Sequence, residues 1–536
     1  MSVFSALDWA IIAIYLFGVL ALGVFLSRRV TSDTNYYLGD RTLPWWAIGI
    51  SVVATYVGAL TFLGGPAWSY ADGLSVILIH INYPIAIFIV ISVFLPFFYN
   101  TGIASIFDYL ERRFGVRARS LMSAIFLFGN FAYSGIMLYT TALVLSYVSD
   151  LEIVPSILLV ATVATTYTLL GGMSAVIWTD VVQTTILIIG AVLILVLIVA
   201  QLPDGLIGSL SELKREGYSE AFKFSTDPSI VSTVWTGIVA MSVYHVTVYG
   251  ANQMMIQRAL SARSIGDAKK SYILMGYCAF FLFFTFFIIG LLLRILFEGQ
   301  LVVDENLLLL EFVATLSIPG LLGFVAVAAT AAAMSSLDSS LNSMATVTTI
   351  DFYQRFIRKE APPKHYLLVS RIITLGWSIL IVIPALLFIG STGSVLELLS
   401  KIGSYFVGAK LAAFVLGFYS KHTTENGLLI GIGAGFAAIL GLDIFADVAW
   451  PWYCLVGGIV SIICSWIASV AMNGFSTDYH PYSVRGEQAR FRRENLPEKE
   501  GGWYVAPGKI DRASYGLIAF FVATLVFLWL FQSFIP

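Results

Sequence analysis

The chain is short of charge. Only 12% of its 536 residues are Asp, Glu, Lys or Arg, whereas 58% are hydrophobic. Soluble domains carry charge on about a quarter of their residues, and that charge coats the surface that faces water. A chain without such a coat must turn its surface toward lipid. The composition therefore excludes an ordinary soluble domain and predicts a polytopic membrane protein.

Cysteine and clustered basic charge are scarce as well. The three cysteines, Cys278, Cys454 and Cys464, lie in apolar stretches without metal-ligand spacing, which is typical of small core residues. The net charge is −2, and no run of basic residues indicates a nucleic-acid partner. No nucleophile–base pair or metal motif is visible. We therefore expect a protein that is not an enzyme.

Long apolar runs, by contrast, are abundant. A helix needs about 20 apolar residues to cross a bilayer, and the sequence contains about 14 such runs. In chain order, spans 1 to 14 cover approximately 7–29, 43–68, 73–99, 119–149, 153–172, 176–201, 228–250, 268–297, 305–346, 366–390, 394–419, 426–446, 449–473 and 513–533. The predicted fold class is an all-α polytopic membrane protein with about 14 transmembrane helices.

Basic residues predict the orientation of these spans. They concentrate in the loops after spans 1, 3, 7, 9 and 13, and such loops stay in the cytoplasm. The residues are Arg28, Arg29, Arg41, Arg112, Arg113, Arg117, Arg119, Arg258, Arg263, Lys269, Lys270, Arg355, Arg358, Lys359, Lys364, Arg485, Arg490, Arg492, Arg493 and Lys499. We expect a cell-membrane protein with both termini outside. The longest loop, 474–512, is too short for a catalytic domain, so function must lie among the helices.

Span 9 carries the strongest polar cluster. Ala332, Ser335, Ser336 and Ser339 share one helical face, at steps of three and four residues. Hydroxyl and carbonyl oxygens on that face suit a hard cation such as sodium. A stripe of small residues that lets helices pack closely is the alternative. Asp338 favours the cation, because close packing does not need a carboxylate.

Two further features lie in spans 6 and 2. Asp180 is near the start of span 6, where a helix dipole alone could stabilise a carboxylate. Span 2 has Gly58 in its middle and Gly64-Gly65-Pro66 further on, where we expect the helix to break. A broken helix exposes carbonyl groups, which is tolerated only where they line a cavity or bind an ion.

Several motifs in the same order and topology resemble the solute:sodium symporter family. They are Tyr36-Tyr37-Leu38-Gly39, Leu43-Pro44-Trp45-Trp46-Ala47, Asp108-Tyr109-Leu110-Glu111-Arg112-Arg113-Phe114, Gly171-Gly172-Met173-Ser174-Ala175-Val176-Ile177-Trp178-Thr179-Asp180-Val181-Val182-Gln183, Asn252-Gln253 with Ile256-Gln257-Arg258, Ser335-Ser336 with Asn342-Ser343, and Asp351-Phe352-Tyr353. The resemblance implies a sodium-coupled symporter that imports a small organic solute by alternating access. A non-transporting solute sensor of the same fold is the alternative.

The resemblance also implies a fold. It would be the five-plus-five inverted repeat of the bacterial leucine transporter, surrounded by peripheral helices. Residues 1–42 would form a peripheral helix and loop, 43–201 the first repeat (spans 2–6), and 228–420 the second repeat (spans 7–11). Residues 426–536 would form peripheral C-terminal helices, with 474–512 as a cytoplasmic loop.

The main sodium site that the resemblance implies joins spans 2 and 9. Backbone carbonyls of Ala54 and Val57 on span 2 would bind the ion together with Ala332, Ser335 and Ser336 on span 9. The implied cofactor is therefore a sodium ion.

A second cation site is implied at Asp180, Asp338 and Ser339. Some family members have serine at the position of Asp338, so this chain departs from the pattern. Two carboxylates could bind a second sodium more tightly. They could equally share a proton, since like charges repel each other.

The substrate positions that the resemblance implies are Thr61, His80, Tyr83, Asn252 and Lys401. Sugar-transporting members have glutamate and glutamine in place of His80 and Thr61, and sialic-acid members place an arginine in span 4, so neither substrate is favoured. His80 and Lys401 would suit a small organic anion. The expected partners are thus a small-molecule substrate and the lipid bilayer.

Overall fold

The computed structural model describes residues 4–27, 33–149, 151–300, 304–391 and 393–535. Within these residues, eleven helices are long and apolar enough to cross a membrane, and one bent pair at Val57 and Gly58 raises the number to twelve. Large apolar side chains such as Phe17, Leu387 and Phe445 are exposed on the outside of the bundle. Such a surface is stable in lipid rather than in water. The predicted all-α polytopic membrane fold is confirmed.

The helices follow one another with short connections. In chain order the α-helices are α1 (Ala6–Ser27), α2 (Asp33–Leu38), α3 (Trp45–Tyr56), α4 (Ala59–Asp72), α5 (Tyr83–Ile89), α6 (Leu95–Thr101), α7 (Ile106–Arg113), α8 (Val116–Ser149), α9 (Ile153–Gln201), α10 (Gly205–Arg215), α11 (Met241–Gly250), α12 (Gln253–Ala259), α13 (Ile265–Leu296), α14 (Leu308–Leu316), α15 (Leu321–Val347), α16 (Pro363–Leu380), α17 (Val382–Leu387), α18 (Val395–Tyr419), α19 (Glu425–Phe445), α20 (Pro451–Asn473), α21 (Val484–Arg493) and α22 (Arg512–Phe534). Turns of 3-10 helix cover Gly39–Arg41, Leu74–Ile79 and Glu305–Leu307, and π-helical turns cover Val90–Phe94, Thr236–Ala240 and Thr348–Ile357.

Three predicted spans differ from the structure. Span 5 is a short apolar helix, Ile153–Thr166, and the positive φ of 58° at Gly172 separates it from span 6 within α9. Span 7, predicted over 228–250, is shorter in the structure, where residues 228–233 are not helical and the helix ends with α11 at Gly250. The prediction of span 9 over 305–346 is wrong: Ser317 and Gly320 adopt left-handed backbone, so α14 ends just before Ser317 and α15 begins just after Gly320.

The buried centre of the bundle is α15. It packs against α8 and α9, while α13 packs along both α3 and α4. Helix α18 lies between α8 and α20, and α19 and α20 pack together at the periphery. The repeat boundaries at 43–201 and 228–420 stay a prediction.

The loop 474–512 folds back onto the bundle. It contains α21 and a two-stranded antiparallel sheet of β1 (Lys499–Glu500) and β2 (Trp503–Tyr504). The ammonium group of Lys269 on α13 donates to Asp511 at 2.5 Å and to the Tyr504 carbonyl at 2.8 Å. Lys269 is fully buried in this contact.

Four of the described basic residues that predicted the orientation are therefore not loop charges. Arg113, Arg119, Arg258 and Lys269 are all buried, because each has carboxylate or carbonyl partners inside the fold. Arg28 and Arg29 lie outside the described residues.

Candidate functional site

The helix that the sequence predicts to break does so at Val57 and Gly58. Helices α3 and α4 meet there at an angle of 48°, and Gly58 has an extended backbone (φ −97°, ψ −154°). The expected break at Gly64-Gly65-Pro66 was wrong, since α4 continues through these residues. Tight packing against α13 and α18 on either side holds the helix there.

Carbonyl groups beside the break face the serine-rich surface of α15. The hydroxyl of Ser336 donates to the carbonyl of Thr55 at 3.1 Å. The hydroxyl of Ser335 lies 2.8 Å from the carbonyl of Ala332 and 3.5 Å from that of Ala54. The structure thus brings four of the five predicted main-site residues into contact, and Val57 forms the break itself.

These oxygens surround one point next to Gly58. A β-carbon placed on Gly58 would lie 2.5 Å from Ser336 Oγ, 2.9 Å from the Ala332 carbonyl oxygen and 3.5 Å from that of Ala54. Hard cations bind to oxygen ligands, and a monovalent ion needs no carboxylate among them. The absence of a side chain at Gly58 therefore lets α15 approach the break closely, which keeps these oxygens near one another.

The residues predicted for the second cation site also lie together in the structure. Asp180 Oδ2 accepts a hydrogen bond from Ser51 at 2.5 Å and lies 3.5 Å from Nη2 of Arg258. That guanidinium group also donates to Ser339, whose hydroxyl is 3.2 Å from Oδ1 of Asp338. All of these side chains are buried. One oxygen of each carboxylate has no hydrogen-bond partner among the described residues.

Arg258 belongs to this cluster, and the sequence analysis missed its place there. It was interpreted as a loop charge after span 7, yet it is fully buried and also donates to Ser51 at 2.8 Å and to the Met254 carbonyl at 2.6 Å. The signal that could have revealed it is the apolar sequence Met254-Met255-Ile256 just before it. That sequence indicates a helix continuing inside the bundle rather than a loop.

Two of the predicted substrate residues belong to a buried aromatic cluster. His80 stacks on Phe283 with ring centroids 3.8 Å apart, and its Nδ1 lies 3.1 Å from the Tyr83 hydroxyl. Tyr83 is 4.3 Å from the ring of His245, whose Nε2 lies 3.3 Å from the hydroxyl of Tyr56. The ring of His245 therefore belongs to the same aromatic cluster. Nε2 of His80 is buried without a hydrogen-bond partner among the described residues.

The other three predicted substrate residues lie apart from this cluster. Thr61 is buried just past the break, with its hydroxyl 3.5 Å from the Tyr56 carbonyl. Asn252 lines a cavity of about 80 Å³, together with Tyr56 and Tyr133. Lys401 is exposed on α18, so the structure does not bring it together with His80.

A network of ion pairs lies at the end of the bundle that carries the basic loops. Arg119 contacts Asp351 at 2.5 Å and Glu111 at 2.8 Å, and Arg355 contacts Glu111 at 2.6 Å. Burial acts to raise the pKa of Glu111, but hydrogen bonds from Arg355 and Arg119 outweigh it and hold that pKa below its ordinary value. These contacts connect α7 and α8 to the end of α15.

A helix breaks within the bundle, where its carbonyl oxygens face hydroxyl groups of α15, and a buried polar cluster lies beside the break. These two features define a class of protein. It is the class of helical carriers that bind an ion and a solute at a helix break within the membrane.

A family model described as the sodium:solute symporter family matches residues 36–435, and the chain belongs to this family. It is a sodium-coupled symporter, and sodium is its coupling ion.

Relatives in this family carry different solutes. The sodium/sialic acid symporter NanT of Aliivibrio fischeri is 28% identical over 486 residues, which cover 89% of this chain and 95% of that protein. The sodium/glucose cotransporter of Vibrio parahaemolyticus is 26% identical over 482 residues, covering 84% and 87%. The human sodium-coupled monocarboxylate transporter 2 is 28% identical over 470 residues, covering 84% and 75%.

Solved structures agree on the fold. The substrate-bound outward-open state of a Na⁺-coupled sialic acid symporter superposes with a TM-score of 0.80 at 26% identity, covering 88% of this chain and 99% of that one. The nucleobase-cation-symport-1 family transporter Mhp1, in a closed conformation, has a TM-score of 0.54 at 13% identity and covers 83% and 98%. The expected leucine-transporter-like fold is confirmed.

Proposed function

We propose that this protein imports a small organic solute together with sodium by alternating access. The observation that supports the proposal most directly is the contact of α15 with the break between α3 and α4. There Ser335 and Ser336 meet carbonyl groups of Ala54 and Thr55. An ion bound at this contact holds the two helices together, so its binding selects one arrangement of the bundle.

The proposed solute site adjoins the same broken helix, because Tyr56 at the end of α3 packs against Tyr83 and His245. Thr61, His80, Tyr83 and Asn252 are the proposed solute contacts, and His245 joins them because its ring packs on Tyr83. Coupling requires that sodium and solute favour the same conformation. The proposed sodium and solute sites both adjoin the helix break. A shift of α3 relative to α15 would therefore change both sites, which meets that requirement.

The proposed main sodium ligands are Ala54, Val57, Ala332, Ser335 and Ser336. One positive charge crossing 100 mV supplies about 2.3 kcal/mol, and a tenfold concentration gradient adds about 1.4 kcal/mol. One sodium ion therefore supports accumulation of a neutral solute on the order of several hundredfold. A second ion would square that factor.

The proposed second cation site is Asp180, Asp338 and Ser339. Two carboxylates beside the single guanidinium of Arg258 leave one formal negative charge in a buried place. An unpaired buried charge costs several kcal/mol. A sodium ion or a proton bound between the carboxylates removes that cost, and the sodium:solute flux ratio distinguishes the two.

The test uses the purified protein in proteoliposomes with an imposed sodium gradient. A panel of labelled sugars, sialic acid and monocarboxylates is offered outside, with the gradient either intact or abolished by a sodium ionophore. Sodium-driven accumulation above the external concentration is expected for one solute class. Sodium-dependent binding without accumulation would contradict transport and support the alternative, a solute sensor of the same fold.

The proposed location is the cell membrane, with both termini outside and the loop 474–512 in the cytoplasm. The support is the bias of exposed basic residues toward one end of the bundle, for example Arg485 and Arg493 near α21. Labelling of single cysteines from outside tests this orientation.

A further inference from the structure

Lys410 is a buried lysine without an ionic partner. It lies on α18 with only 8% of its surface exposed. No hydrogen bond or ion pair reaches its ammonium group from the residues that the structure describes. The other deeply buried lysine, Lys269, has both a carboxylate and a carbonyl partner.

The side chain of Lys410 lines the cavity of about 80 Å³ introduced above. Five polar side chains share this wall with it: Tyr56, Asn130, Tyr133, Tyr244 and Asn252. Among the described residues that line the cavity, none is Asp or Glu. The cavity therefore offers one formal positive charge and several hydrogen-bonding groups.

Asn252, which lines the cavity, has an amide N–H₂ group that is available as a donor. Its Oδ1 already accepts a hydrogen bond from the Met254 backbone N–H at 3.1 Å, whereas its Nδ2 has no partner within the described residues. An ammonium group and an amide N–H₂ group are both donors, and neither can satisfy the other. Both groups therefore still need a hydrogen-bond acceptor.

Leaving a charge buried without a partner is costly, so an unpaired buried lysine indicates a ligand that completes the site. A cavity of about 80 Å³ is several times what one water molecule needs. It accommodates an anion of a few heavy atoms. A carboxylate suits these donors because its two oxygens accept from two groups at once.

We infer that Lys410 and Asn252 bind the carboxylate of the transported solute in this inner cavity. The inference rests on the proposed symport function and gives its substrate class, a small organic monoanion. The cation that the sequence suggested for this purpose, Lys401, lies nine residues earlier on the same helix and is exposed.

The cavity is connected to the main sodium site through one side chain. Tyr133 lines the cavity, and its hydroxyl donates to the Thr55 carbonyl at 3.3 Å. The same carbonyl accepts the hydroxyl of Ser336 at 3.1 Å. Sodium at that site and a carboxylate at Lys410 attract each other, so each stabilises the binding of the other.

The experiment compares lactate with its uncharged amide, lactamide, on purified protein in proteoliposomes. Acetate, pyruvate and sialic acid form the rest of the carboxylate panel, and chloride is the inorganic anion. Sodium-dependent binding of at least one carboxylate is expected, with the matching amide about tenfold weaker or more, as for a lost charge-assisted hydrogen bond. This comparison needs only the unmodified protein.

Variants then assign the charge to one residue. Lys410→Met is expected to raise KM for the carboxylate about tenfold or more with kcat largely kept, because it removes binding energy common to the bound and transition states. Lys410→Arg should restore part of the affinity. Lys401→Met is the matched comparison on the same helix, and thermal unfolding of each variant measures its folding separately.

Three results would overturn the inference. They are equal binding of carboxylates and amides, an unchanged KM in Lys410→Met, and loss of carboxylate affinity in Lys401→Met alone. Chloride binding that Lys410→Met abolishes, with carboxylate uptake unchanged, would also overturn it and assign the site to an inorganic anion. Failure of the symport proposal looks different, since no solute of any charge would then accumulate with sodium.

Discussion

A substitution at Gly58 tests the proposed cation site without removing any ligand. The change Gly58→Ala adds one methyl group, and the φ of −97° at this position is one that alanine adopts freely. The effect is therefore steric. The methyl carbon would lie 2.5 Å from Ser336 Oγ and 2.9 Å from the Ala332 carbonyl oxygen, so it would push apart two of the proposed sodium ligands.

The expected loss of affinity follows from that overlap. Relieving an overpacked contact of this kind costs about 1–3 kcal/mol. If the whole cost falls on the sodium-bound state, the Kd for sodium rises roughly 5- to 150-fold. Sodium at 100 times the original Kd stabilises the unmodified protein by about 2.7 kcal/mol, and a 100-fold rise in Kd reduces this to about 0.4 kcal/mol.

Thermal unfolding in detergent measures this directly. Sodium is titrated against choline at constant ionic strength, and the shift in Tm is followed for each variant. Gly65→Ala is the matched control on the same helix, because its added methyl meets nothing nearer than Phe286 Cβ at 3.3 Å. An unchanged sodium-dependent shift in Gly58→Ala, with the protein folded, would refute the placement of the ion beside this glycine.

Further predictions concern ligands, charge and orientation. Ser336→Ala removes a hydroxyl ligand, so sodium activation of uptake should shift to higher concentrations by about tenfold; an activation curve that matches the unmodified protein would remove this serine from the site. Asp180→Asn should lower the sodium:solute flux ratio by one if the second ion is sodium and leave the ratio unchanged if it is a proton. Arg258→Met leaves the adjacent carboxylates unpaired, so we expect a loss of thermal stability of about 3–5 kcal/mol, partly recovered in the double variant with Asp180→Asn. In a background without native cysteines, Ser211→Cys on α10 should react with an impermeant maleimide on intact cells and Ser476→Cys should not, and the reverse pattern would invert the predicted topology.

Much of the main site could be predicted because its residues follow a periodic pattern. Ala332, Ser335 and Ser336 lie on one face of a long regular helix, and a helical period alone places them together. The partner carbonyls at Ala54 and Val57 were implied by resemblance to a family. Their contact with α15 pairs residues that are far apart in the chain, which no local pattern encodes.

The position of the helix break could not be predicted in the same way. Gly64-Gly65-Pro66 has the lower intrinsic helix propensity, whereas Val57-Gly58 contains a single glycine. Tertiary packing decides between them, because α13 and α18 hold α4 on both sides through the Gly64-Gly65-Pro66 segment. The burial of Arg258 has a similar origin, since its partner Asp180 belongs to a helix that contacts it only in the fold.

Because the break lies before α4, this helix is continuous and would move as one rigid body about Val57 and Gly58. Gly64 is attached to the start of α18, where the Ser394 hydroxyl donates to its carbonyl at 2.7 Å. On the other side, the absence of a side chain at Gly290 lets α13 lie directly against the carbonyl of Pro66. With 1.5 Å of rise per residue, α4 is about 21 Å long, so a rotation of about 10° at Val57 would move its far end by about 4 Å. A sub-ångström adjustment around the ion would thus become an opening or closing large enough to admit a solute, and α13 and α18 would have to move with it.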